Sequence, residues 1–196
     1  RELRAELRTA GASFRTDSDT EVLLEAWRRW GPGSLRRLRL ERIDLYQLHG
    51  PDARVPLEES VAALTDLREE GKIRYVGLSN VTLEELESSL RIGPIASVQN
   101  AYNLAQRGSE DVLERCASGG IAFLPYFPLH LPRPHSGLAQ VAARRGATVE
   151  QIALAWLLHR SPVICPIPGT SSLAHLEEDM AASELDLTAE DLAALE

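Results

Sequence analysis

Several short apolar runs in this chain end on polar side chains that could bind or act on a small molecule. In chain order these residues are His49, Ser79, Asn80, Gln99, Tyr126, Gly169 and Thr170. Amide and hydroxyl groups can donate and accept hydrogen bonds, an aromatic ring can stack on a planar ligand, and backbone N–H groups before a helix can hold phosphate. Taken singly, each residue could equally be an ordinary polar group at a strand end, so the interpretation depends on their common placement.

The composition excludes part of the chemistry that such a site could perform. With 21 Lys+Arg against 29 Asp+Glu, the 196-residue chain has a formal net charge of −8, and we expect neither nucleic acid nor an anionic membrane as its main partner. Lys72 is the only lysine, which excludes a catalytic lysine anywhere else in the sequence. Cys116 and Cys165 follow no metal-ligand spacing, so we expect two buried free thiols, no metal site and a cytoplasmic location.

From residue 42 onward, short apolar runs alternate with amphipathic stretches. Runs rich in Ile, Val and Tyr predict strands over Arg42–His49, Ile73–Leu78, Ile95–Gln99, Ile121–Tyr126 and Val163–Ile167. Leu and Ala at three- and four-residue spacing predict helices over Leu57–Glu70, Leu83–Leu90, Glu110–Ala117, Gly137–Arg145, Val149–His159, Leu173–Ala182 and Ala189–Leu195. We expect a capping box at Thr82 and Glu85, a weaker one at Thr188 and Asp191, and left-handed glycines after helices at Gly71, Gly93, Gly119 and Gly146.

Five βα units in a row predict an α/β fold in which a parallel sheet carries helices on its outside. An open doubly wound sheet and part of an eight-stranded barrel would both satisfy this pattern. No G-x-G-x-x-G follows any strand, and polar residues at several strand ends are typical of the barrel. Because eight strands need roughly 250 residues, we expect an incomplete (β/α)8 TIM barrel of about five units.

Residues 1–40 follow a different pattern. A charged helix over Glu2–Ala10, a short strand over Ala12–Thr16 and a helix over Thr20–Trp30 predict an N-terminal helix-strand-helix segment ahead of the partial barrel.

Five motifs strongly resemble those of the aldo/keto reductases, in family order and with family spacing. They are Ile43–His49, Gly71–Asn80, Val98–Asn103, Pro125–Leu129 and Pro166–Ser171, and the resemblance covers residues 34–196. It implies a TIM barrel that reduces an aldehyde or ketone with a nicotinamide cofactor. The expected cofactor is NADP (NADPH), with NAD as the alternative, and the expected partner is a small carbonyl substrate.

The same resemblance implies a role for each candidate residue. His49 corresponds to the histidine that hydrogen-bonds the substrate carbonyl, and Tyr126 to the ring that stacks on the nicotinamide. The other implied cofactor-binding residues are Ser79, Asn80 and Gln99 at the carboxamide, Leu129, Gly169, Thr170 and Ser171 along the phosphates, and Glu178 and Asp179 at the adenine. Asp179 replaces the usual asparagine, and His175 stands where many relatives carry an arginine for the 2′-phosphate.

The family's proton donor and the groups that tune it should lie upstream, on the first three strands. No tyrosine precedes Tyr46 and no lysine precedes Lys72 in this sequence. We therefore expect an aldo/keto reductase-like oxidoreductase that is impaired in this chain by loss of the Tyr/Lys/Asp segment. The alternative is a non-catalytic nucleotide-binding or assembly remnant, and open sheet edges predict self-association.

Residues 1–39 resemble a fragment of the glutamine amidotransferase domain of asparagine synthetases. The two resemblances overlap at residues 34–39, which leads to the hypothesis of a chimera with a boundary between 1–39 and 40–196. An amidotransferase function ranks last, because position 1 is Arg1 and not the nucleophilic cysteine of that family.

Overall fold

The computed structural model describes residues 2–12, 41–52, 54–131 and 136–195. Within these ranges the chain forms four strands and eight α-helices, the longest of 13 residues, and none of these helices is long and apolar enough to cross a bilayer. In order they are α1 (Glu2–Thr9), β1 (Ile43–Leu48), α2 (Leu57–Glu69), β2 (Ile73–Ser79), α3 (Leu83–Ile92), β3 (Ile95–Gln99), α4 (Glu110–Gly119), β4 (Ala122–Phe123), α5 (Ser136–Arg145), α6 (Val149–Arg160), α7 (Leu173–Ala181), a 3₁₀ turn (Ala182–Glu184) and α8 (Ala189–Leu195). The helix expected over Thr20–Trp30 and nearly all of the strand expected over Ala12–Thr16 lie outside the described residues.

The four strands form one parallel sheet in the order β1-β2-β3-β4. Leu78 on β2 stands beside Val98 on β3, which in turn stands beside Phe123 on β4. Each crossover runs through a helix, as parallel neighbours require. The expectation of an α/β fold with a partial barrel is confirmed.

The predicted fifth strand, Val163–Ile167, is wrong. Only one bridge, between Ile164 and Phe123, joins this run to the sheet. Two hydrogen bonds of 2.8 Å support it, one from the Phe123 N–H to the Val163 carbonyl and one from the Cys165 N–H to the Phe123 carbonyl. Pro166 and Pro168 follow, and because proline has no N–H the ladder cannot continue.

The fourth strand is also shorter than Ile121–Tyr126, the range that the sequence predicts. It contains Ala122 and Phe123 alone, because Pro125 interrupts the ladder. The Tyr126 N–H nevertheless reaches the Asn100 carbonyl at 3.1 Å, so this part of the chain still runs beside the end of β3.

The two faces of the sheet differ in burial. Val76 and Leu78 on β2 are buried beneath the helical layer that includes α2. On the opposite face Leu45 and Tyr75 stand side by side in register, and they are 41% and 46% exposed. Successive strand side chains point to opposite faces, so the part of the barrel-facing side formed by Leu45 and Tyr75 is exposed, whereas Ser79 and Ser97 on that side are buried.

Aromatic contacts connect the sheet to α6, the most deeply buried helix. Six consecutive residues, Ile152–Leu157, are buried along it. The Tyr102 ring packs edge-on to Phe123 with ring centroids 5.8 Å apart and is stacked on Trp156 at 6.0 Å. These contacts fix the chain segments that follow β3 and β4, where candidate site residues lie.

Helix ends follow the sequence predictions in part. The Glu85 N–H donates to the Thr82 hydroxyl at 3.2 Å and the Thr82 N–H donates to the Glu85 carboxylate at 2.7 Å, which confirms the capping box. Gly71 and Gly146 have the expected left-handed backbone, with φ of +74° and +63°. Gly93 does not.

Gly93 is extended, with φ of −165°, and its lack of a side chain serves packing instead. A Cβ at this position would collide with the Thr65 hydroxyl of α2. The prediction at Gly119 is also wrong, because α4 continues through that residue and Gly120 takes the left-handed conformation, with φ of +64°.

The two cysteines have different environments. Cys116 is buried on α4, and burial raises the pKa of its thiol to about 11. Cys165 is exposed, so the expectation of two buried thiols is wrong for it. Ile164 beside it is buried, and alternation along an extended chain turns the next side chain outward.

We therefore expect one fast-reacting thiol per folded chain. At neutral pH an aromatic disulfide reagent should modify Cys165 within minutes, whereas Cys116 should react only after denaturation, because its thiol is buried and protonated. The control Cys165→Ser should abolish the fast phase. Two fast thiols, or a fast phase that survives in the control, would contradict this placement.

A buried carboxylate, Asp191, joins α5 to α8. It accepts hydrogen bonds from the side chains of Arg144, Arg145 and Thr188 and from the Thr188 N–H. Burial raises the pKa of Asp191, but the hydrogen bonds from Arg145, Thr188 and Arg144 outweigh it and hold that pKa well below its usual range. The predicted capping pair of Thr188 and Asp191 is confirmed within this cluster, since the Asp191 N–H also donates to the Thr188 hydroxyl at 3.4 Å.

Asp191→Ala should lower the melting temperature by several degrees, and clearly more than Glu190→Ala. The control removes an exposed carboxylate that also pairs with Arg144, whereas Asp191→Ala leaves both guanidinium groups and the Thr188 N–H without their common acceptor. A depressed carboxyl pKa adds stability above pH ~4 that is lost as pH falls through the folded-state pKa. The acid-side loss of unfolding free energy should therefore be shallower in Asp191→Ala than in the parent chain, and equal slopes would contradict the assignment.

Candidate cofactor-binding site

The carboxyl ends of the first three strands of the sheet meet at Asn80. Its backbone N–H donates to the Gln99 carbonyl at the end of β3, at 3.0 Å. Its side-chain Nδ2 donates to the His49 carbonyl after β1, also at 3.0 Å, and to the hydroxyl of the preceding Ser79 at 3.0 Å. Four of the residues predicted for the site are therefore brought together.

Tyr126 joins the same cluster from the segment after β4. Its hydroxyl donates to the Asn80 Oδ1 at 2.5 Å. Asn80 has φ of +58°, a left-handed conformation that asparagine tolerates better than most side chains. In this backbone conformation the side-chain amide contacts His49, Ser79 and Tyr126.

Phe127, next to Tyr126, is an exposed aromatic residue that the sequence analysis did not single out. Its ring centroid lies 5.1 Å from that of Tyr126, its φ is +56°, and 63% of its surface is exposed. The buried side chain of Asn103 donates from Nδ2 to the Phe127 carbonyl at 2.9 Å and so supports the turn. The only signal in the sequence was its place inside the motif Pro125–Leu129.

Two adjoining cavities, which begin at Tyr126, together form what we call the groove. Its first part, ≈ 480 Å³, is lined by Tyr126, Phe127, Pro128, Leu129, His130, Ile167, Pro168 and Gly169. Its second part, ≈ 300 Å³, is lined by Leu129, Glu150, Gly169, Thr170, His175, Glu178 and Asp179. The two parts share Leu129 and Gly169, so a long ligand could lie across both.

The loop before α7 carries backbone donors beside this groove, which Gly169 and Thr170 line. Within the described parts of the chain, the N–H groups of Gly169, Thr170 and Ser171 make no hydrogen bond. The next N–H, that of Ser172, donates to the Thr170 hydroxyl at 3.1 Å, and the Ser172 hydroxyl caps α7. Free N–H groups ahead of a helix are suited to an anionic group such as phosphate.

The far part of the groove is acidic. Glu150 from α6 and both Glu178 and Asp179 from α7 line it, and His175 is the one basic residue among the described lining residues. Desolvation raises the pKa of Asp179, the Glu178 and Glu150 charges raise it further, and His175 opposes them. Glu150 was missed from the sequence, where its sole signal was a place in the first turn of a helix.

The groove does not include every predicted residue. Tyr126, Leu129, Gly169, Thr170, Glu178 and Asp179 line it, and Tyr126 connects it to Ser79, Asn80 and Gln99. The His49 imidazole is exposed and makes no hydrogen bond in the described ranges. Ser171 lies on the loop without lining either part.

The chain's own lysine and nearest tyrosine do not stand beside His49. Lys72 precedes β2, at the end opposite Ser79, and pairs with Glu70. Tyr46 on β1 packs against the core, and burial raises the pKa of its phenol.

Comparison with known proteins decides the family. Residues 28–133 and 135–196 match the aldo/keto reductase family. The chain is an aldo/keto reductase family member. This agrees with the resemblance of the five motifs and with the partial barrel of the structure.

Several relatives are similar over most of this chain. It is 43% identical to an uncharacterized oxidoreductase of Schizosaccharomyces pombe over 166 residues, which are 83% of this chain and 54% of that protein. It is 44% identical to pyridoxine 4-dehydrogenase of Escherichia coli over 172 residues, 83% of this chain and 60% of that enzyme. The chain thus spans between one half and two thirds of the length of these relatives.

A solved aldo/keto reductase from Klebsiella pneumoniae, in complex with NADP and acetate, has the same fold. It superposes with a TM-score of 0.74 at 36% identity, over 84% of this chain and 61% of that one. Residues 1–40 match a glutamine amidotransferase domain, as expected, and this match overlaps the reductase match at residues 28–40. The division at residue 39 and the chimeric origin stay hypotheses.

The left-handed backbone conformation of Asn80 can be tested by comparing two variants. Asn80→Ala and Asn80→Gly both remove the side-chain hydrogen bonds, but alanine also meets a steric penalty of about 1–2 kcal/mol in this conformation. Glycine's greater freedom in the unfolded chain offsets part of that difference. We expect Asn80→Ala to unfold more easily than Asn80→Gly by about 0.5–1 kcal/mol in denaturant titrations, and the reverse order would contradict the backbone geometry.

Proposed function

We propose that this chain forms the cofactor-binding part of an NAD(P)H-dependent reductase that acts on a small aldehyde or ketone. The observation that carries the proposal is the pair of adjoining cavities between Tyr126 and Asp179, which share Leu129 and Gly169. At one end it adjoins a cluster of amide and hydroxyl groups, and along its middle it meets free backbone N–H groups.

The polar groups of the cluster fit a nicotinamide. The hydroxyl of Ser79 and the amides of Asn80 and Gln99 are groups that would pair with a carboxamide's C=O and NH₂. Ser79 is buried and the Asn80 amide already bonds to three neighbours, so a ligand would displace part of these hydrogen bonds. In the described structure the Gln99 side chain has no hydrogen-bond partner, so its full capacity is available to a ligand. The Tyr126 ring supplies a surface against which one face of the nicotinamide packs, which leaves the other face open.

The rest of the groove fits the remainder of a dinucleotide. The N–H groups of Gly169, Thr170 and Ser171 would hold the pyrophosphate, with Leu129 across the groove. Glu178 and Asp179 would face the adenosine. When bound, the nicotinamide supplies the hydride for the carbonyl carbon. The family resemblance gives NADP, which the Klebsiella relative contains, with NAD as the alternative.

His49 would orient the substrate. Among the described residues its imidazole has no hydrogen-bond partner, and it lies at the end of β1 next to the cluster in which Asn80 holds the His49 carbonyl. From there it could hydrogen-bond the substrate's carbonyl oxygen. A positioned imidazole of this kind fixes which face of the carbonyl meets the nicotinamide.

We further propose that the 196-residue chain by itself binds the cofactor but reduces carbonyls very slowly. The salt bridge of Lys72 with Glu70 at the opposite strand end, and the packing of Tyr46 against the core, support this. A positioned general acid contributes about 10²–10⁴-fold to such reactions.

The same proposal includes the partners and the location of the chain. The acidic net charge supports partners other than nucleic acid. We also propose a cytoplasmic location and self-association through the β1 edge.

Titration of the purified chain with NADPH and with NADH, followed by nucleotide fluorescence, tests the cofactor site. Gln99→Ala should weaken binding about 3- to 10-fold, because it removes hydrogen bonds to the carboxamide. The matched control Gln140→Ala, which removes an exposed amide on α5, should leave binding unchanged. Absence of binding by either nucleotide would refute the proposed site.

Turnover with a short aldehyde, measured by loss of nicotinamide absorbance, separates the two functional candidates. Binding with turnover about 10²–10⁴-fold below that of an intact family enzyme supports the impaired reductase. Binding without any turnover favours the non-catalytic remnant. Ordinary turnover that His49→Ala abolishes would overturn the proposed impairment.

A further inference from the structure

The cavity between α6 and α7 is acidic, which disfavours the additional phosphate of NADP, the cofactor expected from the family. Glu150 comes from the first turn of α6, and His175, Glu178 and Asp179 come from α7. The remaining lining residues are uncharged, and neither arginine nor lysine is among the described residues that line it.

We propose that this acidic cavity selects against the 2′-phosphate of NADP(H), so that the chain binds NADH more tightly than NADPH at neutral and alkaline pH. The inference rests on the proposed function, since it requires the adenosine to occupy this end of the groove. It assigns the nucleotide preference to Glu150, Glu178 and Asp179.

The charges of the two possible ligands determine which of them binds more tightly. A phosphate monoester carries about −1.5 to −2 charges at pH 7. Placed in this cavity it would meet three carboxylates and a single imidazole, and the partly enclosed position weakens screening by solvent. A free ribose 2′-hydroxyl instead donates a hydrogen bond to a carboxylate, the arrangement by which acidic side chains recognise NAD in other folds.

A hydrogen bond between the two helices fixes the backbone positions from which the carboxylates extend. The Gln151 side chain of α6 donates to the Glu178 carbonyl of α7 at 3.1 Å and so fixes the spacing of the two helices. Asp179 and Glu178 are half-buried neighbours on α7. The raised pKa of Asp179 agrees with crowding of negative charge here, since burial, Glu178 and Glu150 all raise it.

The preference should depend on pH. A phosphate monoester has a second pKa of about 6, so the 2′-phosphate loses negative charge as pH falls. Its repulsion by the carboxylates of the cavity then weakens. NADPH affinity should therefore rise more steeply than NADH affinity between about pH 8 and about pH 6.

Calorimetric titration of the full chain with NADH and NADPH measures the preference directly. At about pH 8 we expect NADH to bind about tenfold more tightly, with the same order for 5′-AMP over 2′,5′-ADP, which probe the adenosine end alone. Tighter binding of NADPH than NADH would overturn the inference while leaving the proposed function intact. Failure of both dinucleotides to bind would refute the proposed function itself.

Two variants and a control localise the effect. His175→Arg, an exposed position that should tolerate the change, and Asp179→Asn should each raise the ratio of NADPH affinity to NADH affinity about 3- to 10-fold. Glu177→Gln removes an equal charge from the exposed side of α7, outside the cavity, and should change neither affinity. If Glu177→Gln and Asp179→Asn changed NADPH affinity equally, the effect would come from the net charge of the chain and not from the cavity, which would overturn the assignment.

Discussion

The arrangement of the candidate site depends on the hydrogen bonds of one residue, Asn80. Its backbone and side chain hold the ends of β1 and β3 at 3.0 Å, and its Oδ1 receives the Tyr126 hydroxyl. Parallel strands place their carboxyl ends at one edge, but they do not by themselves fix how far apart those ends lie. The left-handed turn at Asn80 supplies that constraint. The groove begins at Tyr126, which Asn80 also binds.

The partial barrel explains which parts of the fold are well packed and which are open. Helices cover one face of the sheet, and the aromatic contacts of Tyr102 connect it to α6. On the other face Leu45 and Tyr75 are 41% and 46% exposed, although full burial of a large apolar side chain contributes about 1.5–3 kcal/mol. The groove lies along the part of the structure that is complete, from the end of β4 to α7.

Local patterns predicted much of this structure. Alternating apolar runs and amphipathic stretches predicted the parallel sheet and its helices, and the Thr82–Glu85 cap followed from spacing alone. The fifth strand failed because Pro166 and Pro168 remove N–H groups from a run whose apolar character still resembles a strand.

Features that depend on distant contacts were not visible in the sequence. Gly93 packs against Thr65 from another helix, and the exposure of Cys165 depends on which side of its run faces β4. Glu150 enters the site only because α6 and α7 pack side by side. Local periodicity contains no information on such neighbours, so the contribution of Glu150 to the acidity of the cavity emerged from the structure alone.

The most direct test of the central claim, that these strand ends and the α7 loop hold one dinucleotide along the groove, is a crystal structure of the chain with bound NADH. We expect the nicotinamide ring about 4.5–7 Å from the Tyr126 ring centroid, the pyrophosphate at the Gly169–Ser171 N–H groups and the adenosine beside Asp179. A nucleotide bound elsewhere on the chain, or one bound with its ends reversed, would contradict it.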